Sequence, residues 1–379
     1  MSTLQNAIIE PGAIRQLDAL LDRIKAEKLF FVVDKPAYDF SGAAETLDQC
    51  FKARTVTWFS DFELNPKIED VERGKDIFVK NPPDAVIAFG GGSALDMGKL
   101  IASCSVQDAA LIETATGKTP IKNMSAPLIA VPTTSGTGSE ATHFAVVYVE
   151  GKKYSMAHEY LLPAHVIIDP ELTYSLPPGP TAASGLDALC QSIESLWSVG
   201  ADDDSTVLAG EALQLALANI ERAVREPTPQ SRANMSRAAH LAGKAINITK
   251  TTAPHALSYV ITTKFNVPHG AAVALTLGSF LEFNFNVDET NCNDRRGPEE
   301  VRKRMNIILN AIGDGSMTKS LERLETLIRN IGCPARLAEA GISMDDAPSI
   351  AEGVNLERLS NNPRKISTDE LHRMIQAVY

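Results

Sequence analysis

Ala85-Val86-Ile87-Ala88-Phe89-Gly90-Gly91-Gly92-Ser93-Ala94-Leu95-Asp96-Met97-Gly98-Lys99 begins as an unbroken apolar run and ends as a helical pattern, with glycines at the join. The run reads as a strand buried on both faces, and the segment from Ala94 as the start of a helix. Glycines at such a corner let backbone N–H groups approach a phosphate closely, and the helix N-terminus adds a favourable dipole. Reading G-x-G-x-x-G from Gly90 puts Leu95 where the third glycine belongs, so this is not the usual dinucleotide fingerprint. Taken alone, the corner is equally a tight strand-to-helix turn.

The surrounding chain repeats the theme. Apolar, β-branched runs occur at 29–34, 55–60, 127–134 and 165–170, with helical patterns between several of them, as at 68–80 and 94–105. Strand alternating with helix predicts a largely parallel sheet covered on both faces. A hairpin is expected around Glu150-Gly151. After Leu176-Pro177-Pro178-Gly179-Pro180 strand-like runs nearly vanish, and helical patterns follow at 181–199, 204–225, 229–249, 269–286, 298–312, 317–331 and 368–378. The predicted fold is an α/β N-terminal domain with a mostly parallel, Rossmann-like sheet over 1–178, then an all-α domain over 179–379.

Bulk properties narrow the partners. The 379 residues are 44% hydrophobic and 22% charged, ordinary for a globular chain of two domains. A net charge of −11 argues against nucleic acid or an anionic membrane as the main partner. Five widely spaced cysteines, with no CxxC pair, fit a reducing compartment. No signal peptide and no apolar stretch of membrane-spanning length are visible, so the expected location is the cytoplasm.

A second loop strengthens the phosphate reading. Pro132-Thr133-Thr134-Ser135-Gly136-Thr137-Gly138-Ser139-Glu140 packs hydroxyls and glycines directly behind a buried strand, where they can wrap a ribose and pyrophosphate. Asp34 ends the first strand run and can accept from an adenosine ribose hydroxyl, which favours NAD(H); neighbouring Lys35 leaves NADP(H) open.

In the helical half, Asp187 and Gln191 stand four apart in Gly185-Leu186-Asp187-Ala188-Leu189-Cys190-Gln191-Ser192-Ile193-Glu194, projecting together from a mostly apolar helix. His255 and His269 each stand near a helix start of the same half. Each histidine alone reads as structural. Together with the Asp/Gln pair they make a set of imidazole, carboxylate and amide donors that suits one divalent ion, Fe²⁺ or Zn²⁺.

At this point the chain resembles the iron-containing (group III) alcohol dehydrogenases. The resemblance rests on GGGSALDMGK at 90–99, PTTSGTGSE at 132–140, IIDPELTYSLPP at 167–178, GLDALCQSIES at 185–195, PHALSY at 254–259 and VPHG at 267–270. It implies a dinucleotide-binding domain, a helical domain holding one divalent metal, an active site in the cleft between them and a homodimer. The family's metal ligands fall on Asp187, Gln191, His255 and His269, with Gln191 standing where most members have histidine. Tyr259 stands where many have a proton-relaying histidine; a phenol, with an ordinary pKa near ~10, is a poorer shuttle at neutral pH. Gly90, Gly91, Gly92 and Ser93 would hold the pyrophosphate, with Asp96 beside them. Thr133, Thr134 and Thr137 would lie near the riboses, and Lys153 near the phosphates. The implied reaction passes hydride between nicotinamide and a carbonyl carbon whose oxygen a metal polarises.

The substrate is read from Asn247-Ile248-Thr249-Lys250-Thr251-Thr252-Ala253-Pro254, which is small and apolar in ordinary members. Here Lys250, Thr251 and Thr252, with Asn247, put a cation and hydroxyls next to a metal ligand, suiting a phosphonate, phosphate or carboxylate. The alternative is that Lys250 snorkels to solvent and the threonines cap a helix. KTTAPHALSY resembles the branch that reduces phosphonoacetaldehyde to 2-hydroxyethylphosphonate. Asn361-Asn362-Pro363-Arg364-Lys365 reads either as a second basic contact or as a surface loop. The rival functions are a neutral short-chain aldehyde substrate, a dehydroquinate synthase-like lyase and a metal-poor binding protein.

Overall fold

The computed structural model describes residues 5–354 and 356–379. They form two compact units, Met1–Ser175 and Leu176–Tyr379.

The strands of the first unit are β1 (Asn6–Ile9), β2 (Lys28–Val33), β3 (Thr55–Phe59), β4 (Ala85–Gly90), β5 (Leu128–Pro132), β6 (Phe144–Val149), β7 (Lys152–Ala157) and β8 (His165–Ile168). Six of them pair in the order β1-β8-β5-β4-β2-β3, every pairing parallel. Its helices are α1 (Leu17–Arg23), α2 (Lys35–Phe40), α3 (Ala43–Lys52), α4 (Ile68–Lys80), α5 (Gly92–Ser105) and α6 (Leu111–Ala115). Burial on both faces explains the continuous apolar strands, because alternate residues feed two cores. Phe30, Val32, Val86 and Ala88 join one cluster, while Phe31, Val33, Ile87 and Phe89 join the other.

From β2 the chain runs outward to β3, then returns across β2 to β4 and continues the other way. The order reverses between β2 and β4, and ligands of open α/β sheets bind outside the strand ends at such a switch point. Asp34 and Gly90 stand there, and the Asp34 N–H donates to the carbonyl of Phe89, the residue before Gly90, at 2.9 Å.

Sequence reading placed every parallel strand but β1, whose four mostly exposed residues carry no apolar run to announce it. The antiparallel β6–β7 hairpin turns at Glu150 and Gly151, with φ of 49° and 74°, the paired left-handed residues of a tight hairpin.

The second unit holds α7 (Pro178–Trp197), α8 (Asp203–Arg225), α9 (Pro229–Thr249), α10 (Ala253–Phe265), α11 (His269–Phe285), α12 (Pro298–Gly313), α13 (Met317–Asn330), α14 (Ala347–Glu352) and α15 (Thr368–Ala377). Starts of α8, α9 and α15 carry reciprocal capping boxes, Asp202/Ser205, Thr228/Ser231 and Ser367/Glu370. α7 starts inside the Pro/Gly cluster because proline is tolerated in a first helical turn. It is buried almost all round from Gly185 to Trp197. Among the described residues no helix is long and apolar enough to cross a membrane.

The glycine corner is held by close packing of α5 on β4. A Cβ on Gly98 would lie 2.6 Å from the Ala88 Cβ, within strand β4. Gly98→Ala is therefore expected to cost about 1–3 kcal/mol of stability, despite alanine's better helix propensity, read as a lowered urea midpoint.

Candidate metal centre and nucleotide-binding loops

Asp187 on α7, His255 in the first turn of α10 and His269 at the start of α11 converge. Their ligand atoms all lie within 4.8 Å of one another. His255 Nε2 is 3.2 Å and His269 Nε2 4.0 Å from Asp187 Oδ1. Gly270 permits this approach: a Cβ there would lie 1.9 Å from Ala183 O and 2.7 Å from Asp187 N, both backbone of α7. The start of α11 thus packs directly on the turn of α7 that carries the carboxylate.

Both imidazoles are oriented through their other nitrogen. Ser258 donates its hydroxyl proton to His255 O at 2.8 Å, so its oxygen, 3.4 Å from His269 Nδ1, is left to accept. His255 Nδ1 hydrogen-bonds Glu194 Oε1. Glu194 Oε2 accepts from both the N–H and the hydroxyl of Thr252, each at 2.7 Å. Trp197 Nε1 in turn donates to that hydroxyl at 2.8 Å. A buried carboxylate behind a ligating imidazole sets its tautomer and raises its basicity. Glu194 escaped the sequence reading, although Asp187, Gln191 and Glu194 follow the i, i+4, i+7 spacing of one helix face.

Electrostatics agree with the geometry. Burial alone would depress the His255 pKa, but the Glu194 and Asp187 carboxylates outweigh it and push it up to about 9. Burial disfavours charge on Asp187, yet the hydrogen bond from His255 and the two nearby imidazoles hold its carboxyl below the ordinary range. One carboxylate and two imidazoles with fixed far nitrogens are a donor set that fits Fe²⁺ or Zn²⁺. Gln191, one turn along α7, donates Nε2 to Asp187 Oδ1 at 3.0 Å, so in this arrangement it steadies the carboxylate. Tyr259 is half-buried on α10, its ring parallel to His269 within 2° at a centroid separation of 5.8 Å.

In the first unit the glycine corner meets the hydroxyl loop. A Cβ on Gly91 would lie 3.4 Å from Thr134 Cγ2, and one on Gly92 2.7 Å from Thr137 Cγ2. Thr133 is buried and its N–H donates to Gly90 O at 3.0 Å. Gly91, the N-cap of α5, has no side chain with which to cap that helix. Ser93 Oγ accepts from the Asn65 N–H at 3.1 Å, and Asp34 caps α2 through Ala37 N at 3.2 Å.

Asp96 proves to be a builder of this loop. It accepts from Ser139 Oγ at 2.5 Å and Val146 N at 2.9 Å, and the charge of Lys153 favours its ionised form. Lys99, quoted in the motif but given no role, is wholly buried and donates to Thr142 O, Thr142 Oγ1 and Phe144 O at 2.8–3.0 Å. Burial pulls its pKa down to about 8 against the pull of Asp96 and Glu140. Asp96 and Lys99 together tie α5 to the segment after the hydroxyl loop.

The expected substrate residues separate. Lys250 is exposed at the end of α9, and Asn247 and Thr251 are half-buried. Thr252 is a correction: it is 1% exposed with its hydroxyl taken by Glu194 and Trp197, so it scaffolds His255 and presents nothing to a substrate. Nor does that hydroxyl cap α10. The Asn361-to-Lys365 stretch is neither a basic contact nor a loose loop. Asn362 is fully buried, and the Arg364 guanidinium lies 4.0 Å over the Phe283 ring and donates to Phe283 O at 3.0 Å.

Two family models divide the chain: "Iron-containing alcohol dehydrogenase" matches residues 5–170, and "Fe-containing alcohol dehydrogenase family, C-terminal" residues 181–379. Long-chain-alcohol dehydrogenase 1 of Geobacillus thermodenitrificans is 30% identical over 97% of this chain and 93% of its own length. Phosphonoacetaldehyde reductase of Streptomyces viridochromogenes is 32% identical over 77% of this chain and 75% of its own. The crystal structure of sulfoacetaldehyde reductase from Bifidobacterium kashiwanohense in complex with NAD⁺ superposes with a TM-score of 0.88. It is 29% identical, covering 99% of this chain and 96% of that one.

Two outcomes follow for the metal centre. Glu194→Gln keeps the shape but removes the charge behind His255, and should weaken Fe²⁺ or Zn²⁺ binding about 10–100-fold, measured by chelator competition. Because a proton on His255 competes with the ion, wild-type affinity should fall about tenfold per pH unit below about 9 and level off above it. Affinity flat from pH 7 to 9 would contradict this assignment.

Proposed function

The chain belongs to the iron-containing alcohol dehydrogenase family, oxidoreductases that act on alcohols and aldehydes, and on that premise we propose that it reduces an anionic aldehyde, phosphonoacetaldehyde, to 2-hydroxyethylphosphonate with NADH. The observation that carries the redox assignment is the meeting of Asp187, His255 and His269 ligand atoms within 4.8 Å. Fe²⁺ held there would supply Lewis acidity toward a carbonyl oxygen. NADH would supply the hydride, as nicotinamide cofactors do.

The chain's own residues do the rest. Glu194 and Ser258 keep both imidazoles with Nε2 turned to the ligand site. Tyr259, stacked on His269, moves a proton from its hydroxyl to the substrate oxygen as charge develops there. Gly90, Gly91, Gly92 and the N–H groups opening α5 cradle the pyrophosphate, with Thr134 and Thr137 alongside. Asp34 at the switch point favours the unphosphorylated ribose of NAD(H). Lys35, the group that left NADP(H) open, is engaged with Asp39 at 2.5 Å.

Lys250 supports the anionic head group, an exposed cation five residues before His255 in sequence. Similarity to phosphonoacetaldehyde and sulfoacetaldehyde reductases points the same way. Loss of Thr252 as a substrate contact, and the similarity to a long-chain-alcohol dehydrogenase, favour a neutral substrate as the second reading.

An NADH-oxidation screen of the Fe²⁺-loaded protein separates them. Phosphonoacetaldehyde is expected to exceed butanal in kcat/KM, and Lys250→Ala should remove about 10–100-fold of that preference, the worth of a charge-assisted hydrogen bond. Equal rates on both aldehydes would select the neutral reading. Tyr259→Phe should lower kcat about 100-fold while the bound metal stays at the wild-type level.

A further inference from the structure

Lys250 closes α9 with φ 58° and ψ 175°. That region is essentially reserved for glycine, and other residues hold it only where their surroundings over-determine it, most often at functional sites. The surroundings here are specific. The Lys250 N–H donates to Ile246 O at 2.8 Å, the last turn of α9. On either side of it, Asn361 Nδ2 donates to Thr249 O at 2.8 Å and to Thr251 O at 2.9 Å. One amide group thus spends both its protons bracketing the strained residue.

Asn361 is itself held. Its Oδ1 lies 3.1 Å from the Ser198 hydroxyl, and its carbonyl accepts from Val199 N at 3.2 Å. Its neighbour Asn362 exchanges amide hydrogen bonds with Asn284 at 2.8 and 3.2 Å, both residues fully buried. Gly200 presses from α7's end: a Cβ there would meet Thr249 O at 3.0 Å.

We propose that Asn361 is a positioning residue that clamps the 249–251 turn, and that the strained backbone it enforces at Lys250 sets the enzyme's preference for an anionic aldehyde. The inference rests on the reading of Lys250 as the head-group contact and adds that its charge must be presented from this one conformation. A lysine kept where glycine would be relaxed is an arrangement in which stability is given up for placement.

The test uses full-length, Fe²⁺-loaded Asn361→Ala, Lys250→Gly and Lys250→Ala, with phosphonoacetaldehyde and butanal as probes. Asn361→Ala should raise KM for phosphonoacetaldehyde about tenfold more than KM for butanal, with kcat changed less than about threefold and metal content retained. Lys250→Gly should raise Tm by about 2–4 °C while losing the anion preference, opposite signs that a purely structural lysine would not give. Should Asn361→Ala misfold, Lys250→Gly still decides. A lowered Tm in Lys250→Gly, or equal KM changes in Asn361→Ala alongside a selective loss in Lys250→Ala, overturns the clamp and leaves the head-group reading standing. If Lys250→Ala too affects both aldehydes equally, the head-group reading falls with it.

Discussion

The convergence of α7, α10 and α11 depends on one buried negative charge. Asp187 lies on a helix that is apolar nearly all round, where a lone carboxylate would cost several kcal/mol. It is accepted because His255, His269 and Gln191 all turn toward it. The second carboxylate, Glu194, faces the far side of His255. With both imidazoles neutral, as ligation requires, the two buried carboxylates would leave a charge of −2 for a divalent cation to balance; without the ion, a proton on His255 offsets part of that charge. Gly270 makes the convergence possible, because any side chain there would run into α7.

On the nucleotide-binding reading proposed above, the first unit solves a different problem with the same means. Phosphate recognition needs backbone N–H groups held still at a corner, and glycines by themselves are mobile. The structure stiffens that corner from behind. Gly98 fits α5 onto Ala88, and Asp96 and Lys99 bind the same helix to Ser139, Thr142, Phe144 and Val146. The conspicuous residues of the motif thus divide between the glycines that form the corner and those spent on rigidity.

Much of this was legible in the sequence because burial dictates period. Strands covered on both faces must be continuously apolar, and that let four of the runs, with the glycine corner, announce the parallel sheet. β1 stayed invisible because an exposed four-residue edge strand needs no such pattern. Among the site residues, Asp187, His255 and His269 could be named because the chain resembles a family whose metal ligands fall on them; by itself each histidine reads as structural. Glu194 and Lys99 were harder, since a charge hidden within a helix looks in sequence like any solvated one until its partners are located. Thr252 and Asn361 show the limit most clearly. Whether a hydroxyl or amide faces a substrate or another part of the chain depends on contacts 55 to 163 residues apart, which no local pattern encodes.

The account is tested most directly by anomalous X-ray scattering at the iron edge from crystals of the Fe²⁺-loaded protein. It predicts one strong peak within bonding distance of an Asp187 carboxylate oxygen and the Nε2 atoms of His255 and His269. A peak elsewhere, or a fully active crystal-grade preparation with none at these three residues, would contradict it.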